Sequence, residues 1–454
     1  MSKAAVTVAT QDVVQARKRV LALAGPSLAE QFLVSFVSMA DMMMVGRLGP
    51  AAITSVGLTN QPIMFFQAVF MALNVGTTAL VARLFGARDT QRASDAAKQT
   101  LVVALLSGVA MSLLSVALAG PILRFMGAEP DVLELGVSYF RWVGAGLVFN
   151  ALALNMTASL RGAGDTKSPM TINVIANVFH VITNYLLIYG PFGLPALGVV
   201  GAGVSTTLTR ALSFVLFYNI LASGSKRIKI SFREGYALDW PLLKRAFTVG
   251  LPAAGEQLIL RSGQVTFARV VSGLGTVTYA AHQVGMNVLS MSFQPGQAFA
   301  VAATTLVGQG LGAERPDQAE IDVREARRLG VIVGCSMAAL FFFFGRQIAM
   351  LYTSDPEVVS MTALVLRLYA FVQPAQSTQF IYAAALRGAG DAKWALYSTA
   401  IGIWGGRVII GYILIEFFGM AIMGAWLGMA ADQLGRSFVT SLRFGTGRWK
   451  SRKV

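Results

Sequence analysis

The chain has 454 residues, 55% of them hydrophobic and only 13% charged, with a formal net charge of +15. A soluble protein of this size carries about 25% charged residues, and apolar runs of twenty or more recur along the whole length, so the composition excludes a soluble domain and points to a polytopic α-helical membrane protein. The positive charge sits in short loops between apolar runs, with no basic block interleaved with aromatics, which argues against nucleic acid as a partner.

Twelve helices are predicted in chain order, at roughly 18–46, 53–83, 96–120, 132–158, 169–190, 200–222, 243–271, 278–309, 325–345, 358–384, 395–418 and 421–443. The loops after the odd-numbered helices hold only Arg47, Arg124 and Arg346, whereas the other loops and both ends hold most of the Lys and Arg. That asymmetry places both termini in the cytoplasm of a bacterial inner-membrane protein. The first apolar run continues into the fold, so no cleaved leader is expected. Cys335, the single cysteine, lies in an apolar run and has no intrachain partner for a disulfide.

The first predicted helix carries two acids, Glu30 and Asp41. Eleven residues apart is about 20° beyond three turns, so both carboxylates face one direction about 16 Å apart along the axis. Each charge at mid-membrane costs at least about 2.5 kcal/mol and needs a partner or a function. Asp41 is expected to face a water-accessible path, with a structural pairing between helices as the alternative. The fifth helix carries Asn173, Asn177, His180 and Asn184 along one polar stripe, which must face protein or water. His180 is either a titrating partner or a satisfied buried histidine. On the sixth helix Thr206 is its candidate partner and Ser205 a weaker one.

The segment Leu160-Arg161-Gly162-Ala163-Gly164-Asp165-Thr166-Lys167 recurs 226 residues later as Leu386-Arg387-Gly388-Ala389-Gly390-Asp391-Ala392-Lys393. The same offset aligns Pro26 with Pro252, Glu30-Gln31 with Glu256-Gln257, Thr78 with Thr304, and Gly86-Ala87 with Gly312-Ala313. The chain therefore reads as two parallel six-helix repeats related by an axis along the membrane normal. The expected organisation is an N-lobe at 1–222, a basic cytoplasmic linker at 223–241 and a C-lobe at 242–454. The repeated glycine turns lack the strand and the Lys-Ser/Thr of a phosphate loop and read as tight turns fixed by Arg and Asp.

Prolines are expected inside helices at Pro26, Pro62, Pro252, Pro295 and Pro374. Pro26 is a candidate hinge, or an ordinary membrane-helix proline. Gly402-x-x-x-Gly406 and Gly424-x-x-x-Gly428 suggest close helix packing. In the second half Glu256 and Arg261 on the seventh helix, with Gln376 on the tenth, are candidates for a cavity between the lobes, as are Glu30 and Asn177 in the first half. Arg269, Arg367 and Arg407 are further intramembrane charges with few acidic mates at matching depth. The Met39, Met42, Met43 and Met44 cluster suits either a soft ligand lining or plain core filler.

Taken together, Asp41-x-x-x-Val45-Gly46-Arg47-Leu48-Gly49, the paired Leu-Arg-Gly-Ala-Gly-Asp turns, Gly308-Gln309-x-x-Gly312 with its counterpart near Gly86, and Asn184-Tyr185-Leu186-Leu187-Ile188-Tyr189-Gly190 resemble the multidrug and toxic compound extrusion (MATE) family, nearer its DinF-like branch. The resemblance spans all twelve helices. It implies a secondary antiporter exporting drugs or amphipathic metabolites, with H⁺ or Na⁺ entering and no cofactor. It maps the family's amino-lobe coupling site onto Asp41, His180, Asn184 and Thr206. The acid that members carry on the fifth helix is missing here, which favours H⁺. The carboxy-lobe site needs an acid where this chain has Gln376.

Competing readings are export of organic anions or lipid-linked precursors, suggested by the intramembrane arginines, and an ion channel. An intramembrane enzyme is disfavoured by the absence of a His-Glu-x-x-His or serine-nucleophile motif. The expected partners are small-molecule substrates and membrane lipid, around a monomer.

Overall fold

The protein is described from a computed structural model covering residues 3–193, 195–224, 228–230 and 238–452, with side chains from residue 11 onward. The described residues form helices and turns with no strand. The helices group into twelve spans. In the first half these are α1 (Lys3–Gly46), α2 (Pro50–Gly86), α3 (Thr90–Ala117, continued by Ala119–Phe125), α4 (Pro130–Ala145 and Leu147–Gly162), α5 (Lys167–Tyr189) and α6 (Gly198–Ala222). In the second half they are α7 (Trp240–Ser272), α8 (Thr276–Gly312), α9 (Pro316–Met350), α10 (Pro356–Ala370 and Gln373–Gly388), α11 (Ala392–Glu416) and α12 (Ala421–Gly445). The chain is an all-α polytopic membrane protein.

Seven of these helices are individually long and apolar enough to cross a bilayer, and the two-piece spans α4 and α10 also qualify when each is taken whole. The remaining three, α7, α8 and α12, are diluted by Glu256 and Arg261, by His282, Gln283 and Gln294, and by Asp432 and Arg436. A polar residue at membrane depth survives only where protein or water satisfies it; Glu256, His282, Asp432 and Arg436 are buried, whereas Arg261 and Gln283 are exposed.

Two spans predicted as single helices, 132–158 and 358–384, are broken. Pieces of α4 meet at 41° beside Gly146, and those of α10 at 57° beside Phe371 and Val372. Gly146 sits where a Cβ would meet Thr207 Oγ1 at 2.9 Å. Pro374, expected inside a helix, instead occupies the first turn of the second piece of α10, where its missing N–H leaves no bond unmade. Pro26, Pro62, Pro252 and Pro295 do lie inside helices.

The repeat is visible contact by contact. Arg161 Nη2 donates to both Glu30 oxygens at 2.8 and 2.7 Å, and Arg387 Nη1 to both Glu256 oxygens at 3.2 and 3.0 Å. Asn173 Nδ2 donates to Glu30 at 2.7 Å; its repeat mate Thr399 donates to Glu256 at 3.2 Å. Thr78 and Thr304 bond the carbonyls of Ala158 and Ala384 at 3.2 and 3.1 Å. A Cβ on Gly162 or Gly388 would run into the Thr78 or Thr304 carbonyl, so glycine is what lets these helices cross in contact. Gly164 and Gly390 both take φ +85°, the left-handed conformation that closes the turn. The repeated turn is thus a backbone crossing plus an arginine delivered to a first-helix glutamate.

The two turn aspartates diverge. Asp165 accepts from the Ser168 N–H and hydroxyl at 2.9 and 2.6 Å, capping α5. The position matching Ser168 is Trp394, and Asp391 instead takes Arg443 at 2.6 Å and Arg452 at 3.3 Å.

Two compact units result, Ala29–Gly250 and Met1–Leu28 with Leu251–Val454. Their limits differ from the lobe boundaries at 222 and 242, because the start of each first helix packs with the other repeat. Arg17 and Arg19 pair with Glu325 and Asp322 at 2.8 and 2.7 Å, and Val20, Leu23 and Ala24 join a core with Val307 and Ala326. In the other unit Leu242 and Ala246 pack with Leu73, Leu80 and Phe217. The chain passes between units close to Pro26 in α1 and close to Pro252 in α7. Of the linker, Lys226, Arg227, Arg233 and Glu234 lie outside the described residues. Ile228 and Ile230 are buried in the Ala29–Gly250 core, with the Ile230 N–H bonded to the Leu221 carbonyl at 3.0 Å.

Candidate functional site

Within Ala29–Gly250, α1 and α5 lie in one register. Glu30 meets Asn173 and Asp41 meets Asn184, each pair 143 residues apart, so two helices running in the same direction share a polar seam. Same-direction packing is what the first and fifth spans of a six-span repeat require. At one end of the seam Glu30 is consumed by Arg161 and Asn173. At the other end Asp41 is, among the described residues, the only acid lining a cavity of about 320 Å3.

Asp41 Oδ2 lies 3.0 Å from His180 Nε2, and Oδ1 accepts from Asn184 Nδ2 at 3.0 Å. The carboxylate side chain remains 35% exposed, while His180 and Asn184 are buried. His180 Nδ1 faces Thr209 Oγ1 at 3.1 Å and Ser205 Oγ at 3.2 Å, and Ser205 is bridged to Thr183 at 2.7 Å. When Nε2 donates to Asp41, Nδ1 accepts from a hydroxyl; when the ring is protonated, both nitrogens donate. The ring therefore has a hydrogen-bond partner on each nitrogen in either state. Tyr189 OH bonds the Met44 carbonyl at 2.8 Å and ties this end of α1 to α5.

Thr206, weighed in sequence as the partner of His180, instead bonds the Ala202 carbonyl of its own helix at 2.9 Å. It lines the cavity with Arg210 one turn on, while Ser205 and Thr209 face α5. These are two stripes 100° apart on one helix. Sequence reasoning missed the rest of the lining: Ser38, Asn60, Gln67, Tyr139 and Arg210. Arg210 was the legible one, being a charge inside an apolar helix. Its Nη1 donates to the Val143 carbonyl at 2.9 Å.

The other predicted residues fall elsewhere. Asn177 is half-buried on α5 and does not line this cavity. Glu256 is buried with Arg387 and Thr399. Arg261 is exposed on α7, donating to Gln264 at 3.3 Å, and Gln376 is buried with neither amide atom hydrogen-bonded. Positions matching Asp41, His180 and Asn184 in the second repeat are Phe267, Gly406 and Ile410. The acid–imidazole pair therefore exists in one repeat only. No three His, Cys, Asp or Glu side chains among the described residues gather as a metal site.

A duplicated six-span fold with a polar, acid-bearing cavity in one repeat defines a membrane transport protein. The MatE family model matches residues 26–186 and 252–413, once in each repeat, and the chain belongs to this family of transporters, which are not enzymes. It is 30% identical over 450 residues to the probable multidrug resistance protein NorM of Thermotoga maritima, covering 98% of this chain and 95% of that one. It is 28% identical over 449 residues to the multidrug resistance protein MdtK of Yersinia enterocolitica, covering 96% of each. A solved MOP-superfamily transporter from Pyrococcus furiosus superposes with a TM-score of 0.89 at 23% identity, covering 96% of this chain and 97% of that one.

Proposed function

We propose that this transporter exports drugs or amphipathic metabolites across the cytoplasmic membrane in exchange for protons, by alternating access between its two repeats. The observation that carries the reading is the Asp41 carboxylate, open to a polar cavity and held by an imidazole and an amide. The multidrug resistance names of the NorM and MdtK relatives support the cargo class. Asn184 donates an N–H to Asp41, and His180 does so when Nε2 carries the proton, whereas Na⁺ needs oxygen ligands, which favours H⁺ as the coupling ion.

In the exchange, ionised Asp41 holds the cavity in its cargo-binding form. Protonation of the Asp41–His180 pair from outside removes the negative charge that attracts cationic cargo and releases it. Asn184 and Thr206 complete the coupling site. Movement of α1 at Pro26, close to where the helix passes between compact units, carries the signal. One unit of pH gradient supplies about 1.4 kcal/mol, and 100 mV about 2.3 kcal/mol per charge moved. Lys and Arg asymmetry orients both termini to the cytoplasm.

Arg210 in the same cavity favours a second reading, in which the cargo is an organic anion or a lipid-linked precursor. Everted vesicles expressing the wild type and Asp41→Asn separate these. Proton-driven uptake of a cationic dye that Asp41→Asn abolishes supports the proposal. Undiminished proton-driven uptake in the variant removes Asp41 from coupling, and uptake of organic acids in place of dyes supports the second reading.

A further inference from the structure

The matching region of the second repeat has become something else. At the position of Thr206 stands Asp432, at that of Arg210 stands Arg436, and α11 supplies Arg407. All three are buried, Asp432 completely. Arg407 lies in a π-helical stretch, Ile401–Ile410, whose wider turn departs from the regular helical spacing. Gly402 and Gly406 in that stretch press against Asp432 and Arg436, leaving no room for a side chain.

Charge and hydrogen bonding both fail to close there. Arg407 Nη2 approaches Asp432 Oδ2 at 2.8 Å, and Arg436 Nη1 stands 3.9 Å from Oδ1. Arg436 Nη2 donates to Thr399 at 2.9 Å, which leads to Glu256 and its own arginine, Arg387. Two carboxylates thus meet three guanidiniums, leaving one positive charge inside the membrane-spanning part. Arg407 Nε, Arg436 Nε, Trp426 Nε1 and Tyr369 OH are buried and have no hydrogen-bond partner among the described residues, and the same holds for the Asp432 oxygens, Gln433 Oε1 and His282 Nδ1. The Tyr369 ring packs edge-on to Trp426 at 5.7 Å. His282, 5.9 Å from the Trp426 ring, brings no negative charge. Unpaired buried charge and unmade donor bonds are both costly, and an anion answers the excess positive charge and the open donors together.

We infer that the second repeat binds a small monovalent anion, a halide or a carboxylate, on Arg407 and Arg436, with Trp426 Nε1 and Tyr369 OH as neutral donors. Asp432, paired with Arg407, stands beside this anion as a like charge, so it limits the anion's affinity while positioning Arg407. This site does not depend on Asp41 carrying protons.

The test is thermal unfolding of the purified full chain in nanodiscs at constant ionic strength, with gluconate replaced stepwise by bromide, chloride or formate. Wild-type protein gains a saturable rise in melting temperature; Arg407→Gln and Arg436→Gln weaken the response about tenfold or more, and Asp432→Asn strengthens it by a similar factor. Where an arginine variant does not fold, Trp426→Phe and Tyr369→Phe weaken the response while keeping the charge. A response to bromide and chloride alone assigns a halide, and one to formate assigns a carboxylate. Identical melting in all four anions, or a response unchanged in the variants, overturns the inference.

Discussion

Removing Arg161 tests how much of the fold rests on the ion pairs between the repeated turns and the first helices. Glu30 receives two bonds from Arg161 Nη2 and one from Asn173, with its side chain only 10% exposed. Arg161→Ala leaves a buried carboxylate with one neutral donor. Breaking a buried pair costs about 3–5 kcal/mol, and the lower end applies because the Arg161 side chain is 23% exposed. Replacing both partners with neutral residues, Glu30→Gln with Arg161→Met, costs far less, since no charge is then stranded. The cycle therefore yields a coupling energy of about 2–3 kcal/mol. The Glu256–Arg387 cycle gives a similar or smaller value, as its bonds are longer. Reversible unfolding in bicelles titrated with SDS measures both. A loss below about 1 kcal/mol for Arg161→Ala, or a double variant no better than the single one, would refute the reasoning.

The crossing glycines make a harder prediction: Gly162→Val or Gly388→Val forces a side chain into the Thr78 or Thr304 backbone and lowers the folded yield severalfold, read by size-exclusion chromatography. Gly405→Ala, which meets nothing within 4 Å, leaves the yield unchanged. Near the C-terminus, hydrogen bonds to Asp317 and Glu320 hold the Lys450 ammonium above its ordinary range. A raised folded-state value means this contact contributes fully below pH 10.5 and is lost only as pH rises through the raised value. Lys450→Ala is accordingly more open to tail proteolysis at neutral pH, whereas wild-type protection stays flat from pH 7 to 9.

Much of the fold was legible because duplication writes the same contact twice. Glu30 with Glu256, Arg161 with Arg387 and Thr78 with Thr304 stood at one offset in the sequence, and each pair makes the same contact in its own repeat. What the repeat does not reveal is which acids are spent on structure. Glu30 and Asp41 share a helix face, yet one is neutralised by an arginine from a turn over a hundred residues away and the other lines a cavity. Face assignment on α6 also escaped, since Ser205 and Thr206 differ by 100° of rotation and no pattern in an apolar helix says which is turned to α5. The kinks in α4 and α10 depend on packing at Gly146 and on Pro374, and hydropathy carries no trace of them. Asp432 was overlooked although its cost at membrane depth is the same as that of Asp41.

The most direct test of the transport account is proton release on cargo binding. Purified protein in weakly buffered detergent solution is mixed with a saturating cationic dye while a pH indicator is followed. The account predicts a release that approaches about one proton per chain at pH values where the Asp41–His180 pair is protonated before cargo binds, and that disappears in Asp41→Asn. Full proton release from the Asp41→Asn protein, or dye binding by the wild type with no proton released at any pH, would contradict it.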